Sequence, residues 1–172
     1  MMAADHPGPS SSEQPLQPQD VARERALSDP KIRKVYDYWS SKCRDGALPK
    51  RSDIDPVDIY DCLSVIMIFD VIDGGRDFRI RLAGSLVEEA HDRPLKGMLL
   101  SELGQGTAMT TVLARFQALV TQRLPDFYSD TLALVGRSFI EFDRVALPLA
   151  EDGKTVTHVL CCYAQKQRAV RS

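Results

Sequence analysis

Residues 77–83, Asp-Phe-Arg-Ile-Arg-Leu-Ala, alternate between apolar and polar side chains and constrain the fold more than any other stretch. A period of two belongs to a strand with one face on a core and one in water. Phe78, Ile80 and Leu82 are expected on the buried face, with Arg79 and Arg81 opposite. Upstream, residues 65–72 form a β-branched apolar run, and Asp73-Gly74-Gly75 between the two runs is a tight hairpin signal. The two strands are therefore antiparallel neighbours.

The last third of the chain repeats this pattern. Strands are expected over 125–135, 138–149 and 155–164, separated by Gly136-Arg137 and by Glu151-Asp152-Gly153-Lys154, which makes a three-stranded meander. Between hairpin and meander the period changes to that of helices. Residues 86–91 read as a short helix, and 107–123 carry Met109, Val112, Leu113, Phe116, Leu119 and Val120 at helical spacing. This order describes an α+β fold: one five-stranded antiparallel sheet with helices across one face.

A helical extension precedes the sheet. Asp29-Pro30 is an N-cap followed by proline at the first helical position, and Ile32, Val35, Tyr36, Trp39 and Cys43 then form one apolar stripe that Gly46 is placed to end. The stripe must cover its own sheet or a partner subunit. Asp55-Pro56 repeats the start signal, and Ile54, Val57, Ile59, Tyr60 and Leu63 read as a short, mostly buried helix. Residues 1–20, with four prolines and a serine run, read as a disordered tail. The organisation is then a tail at 1–20, a helical extension at 21–64, a core at 65–166 and a tail at 167–172.

Composition narrows the function. A net charge of -2 gives no support for broad binding to nucleic acid or an anionic membrane. No run of about 18 apolar residues is present, and the first 20 residues hold no signal-peptide pattern, so the cytoplasm is the expected location. Cys43, Cys62, Cys161 and Cys162 include no Cys-x-x-Cys pair, which leaves reduced thiols as the expectation and no metal site. No Gly-x-Ser-x-Gly, phosphate-loop or His-Glu-x-x-His pattern occurs, and the carboxylate pairs Glu88-Glu89 and Glu141/Asp143 lack a histidine or serine to complete an acid–base device. The chain is expected not to be an enzyme. His158 shares a strand face with Val156, Leu160 and Cys162, as a hydrogen-bonded sheet residue or a polar contact in a pocket. Arg44, Lys50 and Arg51 form a local basic cluster, open to internal ion pairing or to phosphate.

The order of elements resembles the PAS domain superfamily. Residues 77–84 are similar to the second PAS strand running into the first helix, and Arg93-Pro94-Leu95-Lys96-Gly97 with Leu99–Leu103 resembles the stretch where a glycine precedes an apolar segment. Trp39, then Gly46-Ala47-Leu48-Pro49, Arg51, Asp53 and Asp55-Pro56, resembles the entry to a bacterial PAS-like family of small stand-alone proteins; Ala146-Leu147-Pro148-Leu149 with Asp152-Gly153 fits the same pattern. The resemblance implies a sensor or contact module in bacterial signal transduction. On this reading a small ligand would sit among Phe78, Ile80, Leu82, Leu86, Met98 and Phe116, with His158 as a polar contact. A homodimer or an unidentified signalling protein would be met through Ile32, Val35, Tyr36 and Trp39. With no output segment in the sequence, the signal is expected to leave by protein contact. The alternative is a pure interaction or dimerisation module with its pocket filled. No cofactor is assigned. Haem would need His91, which stands among Glu88, Glu89, Asp92 and Arg93, and flavin photochemistry would need a cysteine between Leu63 and Leu160, where none occurs.

Overall fold

The computed structural model of the chain describes residues 17–133 and 139–166. Two helices open it, α1 (Pro18–Leu27) and α2 (Pro30–Lys42), followed by 3-10 segments at Arg51–Asp53 and Pro56–Val65. The sheet begins with β1 (Ile66–Ile72) and β2 (Asp77–Ala83). After α3 (Ser85–His91), a 3-10 turn at Leu100–Glu102 and α4 (Gly106–Gln122), it is completed by β3 (Asp126–Ala133), β4 (Phe139–Leu149) and β5 (His158–Gln165). The strand order is β2-β1-β5-β4-β3, with every neighbouring pair antiparallel. The last strand is central, which explains why Val159, Leu160, Cys161 and Cys162 are all buried: each face of β5 is covered.

One cover is α4 with the 95–102 segment. Phe116 stands edge-on to Phe69 and Phe78, with ring centroids 5.2 and 5.0 Å away, a geometry worth about 1 kcal/mol per pair beyond area burial. The other cover is the N-terminal pair of helices. Asp29 accepts hydrogen bonds from the Lys31 and Ile32 amides at 2.9 and 3.1 Å, satisfying the first turn of α2. Ile32, Val35 and Trp39 are then buried in the common core, while Tyr36 is half-buried and meets Phe127 at 5.6 Å. The stripe read as a dimer or partner contact thus covers its own sheet.

Several boundaries differ from the sequence expectation. Helix α1 opens at Pro18, inside the stretch read as tail; residues 1–16 lie outside the described residues. Helix α2 ends at Lys42, and Gly46, at φ 75°, serves instead the tight turn that pairs Arg44 with Ala47. The Gly136-Arg137 connection and the 167–172 tail lie outside the described residues. The segment after Asp55-Pro56 is 3-10, and its Val57 and Tyr60 are 74% and 72% exposed rather than buried. Side chains three apart eclipse in that geometry. Ile59 and Cys62 therefore face the core while Val57, Tyr60 and Leu63 face out.

The largest change lies in β2. Ile80 pairs with Phe69 but Leu82 pairs with Ile68, so one extra residue, Arg81, is accommodated as a bulge. The bulge breaks the alternation. Phe78 and Ile80 stay on the α4 side, and Leu82 turns to the opposite face, 37% exposed. Among the described residues no helix is long and apolar enough to cross a membrane.

Candidate functional site

Two places carry unusual features. The first is a charged cluster under α4. Arg144 on β4 is 2% exposed and lies over the Phe116 and Tyr128 rings, 4.9 and 5.1 Å from their centroids. Its guanidinium donates to Asp126 at 2.9 Å, and Arg115 from α4 donates to the same carboxylate at 2.5 and 3.1 Å and to the Phe127 carbonyl at 2.8 Å. One carboxylate between two guanidiniums ties α4, β3 and β4 together. The Nε of Arg144 is buried with no partner among the described residues. Tyr128 closes the cluster by donating to Asp130 at 2.8 Å, and burial raises its phenol above the ordinary value. Cys161 beneath it is pushed up to about 12 by burial, an inert thiol. Arg144 shares its strand face with Phe142 and Ala146, so it interrupts an apolar face, and spacing alone does not reveal the carboxylate that Asp126 brings to it from β3.

The second place is a groove of about 360 Å³ on the other face of the sheet, open to solvent. Its floor is Ile66, Ile68 and Leu160, one wall is Ile54, Ile59 and Leu63, and the other runs from Leu82 to Ser85. Two of the seven large apolar side chains exposed among the described residues line it, Leu63 and Leu82. The two 3-10 segments are held there by the loop before them. Leu48 donates its amide to the Gly153 carbonyl at 3.0 Å, Ala150 donates to the Pro49 carbonyl at 2.9 Å, and Arg51 donates its amide to Glu151 at 3.1 Å. The Gly-x-Leu-Pro-x-Arg stretch is thus a clasp on the β4–β5 turn, and it sets the Arg51 side chain on the groove's edge.

The sequence candidates divide between these places. Phe78, Ile80 and Phe116 pack together, and Met98 is partly buried beside them with its carbonyl accepting from Ile80 at 2.8 Å. Leu82 lines the groove instead, and Leu86 is 50% exposed. His158 faces the groove side, between Asp70 at 3.4 Å and Glu151 at 3.8 Å, with burial lowering its pKa. His91 bonds the Val87 carbonyl at 2.9 Å through Nδ1. Among the described residues no group of three or more His, Cys, Asp or Glu is arranged to hold a metal ion.

Sheet order, crossover helices and a two-sided cover define a single-sheet α+β module. The chain belongs to the PAS domain family, whose profile matches residues 27–164. Among solved structures it is similar to a Rhodobacter sphaeroides LOV protein, at 9% identity and TM-score 0.50, over 68% of this chain and 71% of that one. It also matches the PAS domain of Bordetella pertussis BvgS, at 13% identity and TM-score 0.49, over 60% and 77%. A sensory box sensor histidine kinase from Vibrio cholerae matches at 17% identity and TM-score 0.45, over 64% and 88%. No curated protein matches the chain.

Proposed function

We propose that this chain is a non-catalytic regulatory PAS module that works by protein contact, with the groove beside the 3-10 segment as its contact surface. The observation that carries this reading is an open, apolar concavity on the sheet with two exposed leucines, Leu63 and Leu82, on its facing walls. Phe116 meanwhile occupies the space between α4 and the first two strands, where a ligand would compete with two aromatic contacts.

A second reading, a sensor of a small anion, is favoured by one observation: the buried, unpartnered Nε of Arg144. Native mass spectrometry of the chain isolated from its own cells separates the two. The contact reading expects a mass above 19.2 kDa from a second protein at fixed stoichiometry. Leu82→Asp should abolish that complex, and Leu124→Asp, at a more exposed leucine outside the groove's lining, should leave it. A monomer carrying a reproducible small adduct would replace the contact reading with the sensor reading.

A further inference from the structure

The two edges of the sheet differ. The β2 edge is closed to an added strand at Arg79–Ile80. Ile80 donates to the Met98 carbonyl at 2.8 Å, Gly97 donates to the Ile80 carbonyl at 2.7 Å, and Arg79 bridges Leu99. The β3 edge meets no further strand and no loop backbone among the described residues. No residue from Asp126 to Thr131 is buried.

The ladder fixes which groups of β3 face outward. Lys166 donates its amide to the Glu141 carbonyl at 2.8 Å, so odd-numbered β4 residues bond to β5 and even-numbered ones to β3. Tyr128 opposite Arg144 and Asp130 opposite Phe142 are therefore hydrogen-bonded pairs. The amides and carbonyls of Phe127, Ser129 and Thr131 point away from the sheet. Two of these groups are engaged: the Phe127 carbonyl accepts from Arg115 at 2.8 Å, and the Thr131 amide donates to the Asp130 carboxylate at 2.7 Å. The Phe127 amide, both Ser129 groups and the Thr131 carbonyl have no backbone partner among the described residues.

This pattern has a two-fold centre at Ser129. In antiparallel register with a second copy, the two Ser129 residues exchange both bonds, and each Phe127 amide meets a Thr131 carbonyl. The engaged groups then fall opposite each other, Phe127 carbonyl against Thr131 amide, each already satisfied by its own chain. An unrelated extended segment would leave an amide facing Phe127 and a carbonyl facing Thr131 unanswered. A second copy brings those two groups already bonded. The side chains agree, since Phe127 falls opposite Thr131 and Tyr128 opposite Asp130, with no like charges face to face.

We infer that two copies of this chain pair through their β3 edges about a two-fold axis at Ser129, joining their sheets into one. Strand β4 separates this edge from the groove's floor, so the inference stands apart from the contact reading above. Sedimentation equilibrium of the full chain measures the association, and amide exchange at low and high concentration locates it. The Phe127 and Ser129 amides should slow in proportion to the fraction dimerised, and Thr131, bonded within its own chain, should change less. Ser129→Pro separates pairing from folding, because an outward N–H costs the monomer no ladder bond while the dimer loses both central ones. Its dissociation constant should rise at least about thirtyfold, with circular dichroism confirming the fold. Ser129→Cys gives a second reading that does not depend on that variant. The paired Ser129 Cα atoms would stand about 5.5 Å apart, within disulfide reach, so mild oxidation should yield a reducible dimer.

A chain that stays monomeric at millimolar concentration overturns the inference. So does a dimer whose slowed amides lie outside β3, or one that Leu82→Asp dissolves. A monomer whose Phe127 and Ser129 amides are already slow would mean that another part of the chain covers the edge, and overturns it equally. Cross-linking through Thr131→Cys in place of Ser129→Cys would put the strands in another register and overturn the two-fold at Ser129.

Discussion

Trp39 on α2 donates its indole N–H to the carbonyl oxygen of Pro148 on β4 at 2.9 Å, in the core. The bond answers a local need. Strand β3 pairs with β4 only as far as Asp126 opposite Ala146, so the Pro148 carbonyl has no strand partner on that side. Proline at this position costs no ladder bond for the same reason. Trp39→Phe keeps most of the packing and strands the carbonyl, so it should lower unfolding stability by about 1–2 kcal/mol. Urea unfolding followed by far-ultraviolet circular dichroism measures this, since Trp39 is the only tryptophan and fluorescence is lost with it. An unchanged midpoint would mean that water reaches the carbonyl.

Gly84 closes the groove at the start of α3, and its backbone lies against the carbonyls of Leu63 and Ser64. A Cβ there would collide with both oxygens, and neither is the flexible end of a side chain. Gly84→Ala should therefore force the 3-10 segment away from β2 and destabilise the fold by about 3 kcal/mol, above the ordinary range for a surface substitution. Gly74→Ala in the hairpin meets nothing within 4 Å and strains only a positive φ, so its cost should be smaller, about 1 kcal/mol. Thermal unfolding of the two variants side by side checks the order, and equal losses would contradict the close approach.

Removing the carboxylate of Asp126 should cost more than removing the guanidinium of Arg144. Asp126→Asn leaves two arginines facing each other without their shared anion, one of them buried, and breaking such a pair costs about 3 kcal/mol. Arg144→Met leaves Asp126 still paired with Arg115, fills part of the space over Phe116 and removes the unsatisfied Nε, so about 1 kcal/mol is expected. Chemical denaturation of both variants gives the order. The reverse order would show that the arginine's packing on Phe116 and Tyr128 outweighs its charge.

The topology was legible because hairpin turns, proline starts and two distinct periods each point to one element, and they agree. The site was not, for two physical reasons. Strict alternation in 77–83 placed Leu82 beside Phe78 and Ile80, and nothing in the residues signals a bulge at Arg81. An α-helical stripe after Pro56 overlooks that Val57, Tyr60 and Leu63 recur at intervals of three. That spacing is the signature of a 3-10 ridge, and it was available in the sequence. Arg51 was visible only as part of a cluster.

The turn that holds the clasp should be sensitive to acid. Asp152 accepts from the Lys154 amide, the Thr155 amide and the Thr155 hydroxyl at 2.8, 2.6 and 2.8 Å, and these bonds bring its pKa down to about 2. The folded value lies below the ordinary aspartate value of 3.8, so the unfolded chain binds this proton first. The stabilisation is complete above about pH 4 and is lost as pH falls through the folded value. Asp152→Ala removes it at neutral pH. Plotted against pH, the urea midpoints of variant and wild type should differ by a constant amount above about pH 5 and converge below pH 4. A gap that stays constant down to pH 2 would mean that the carboxylate is not the group supporting the turn. Gly153 and Glu151 of the same turn hold Leu48 and Arg51. Amide exchange at Leu48 and Arg51 should therefore quicken in Asp152→Ala at neutral pH, which ties the acid-sensitive turn to the arginine on the groove's edge.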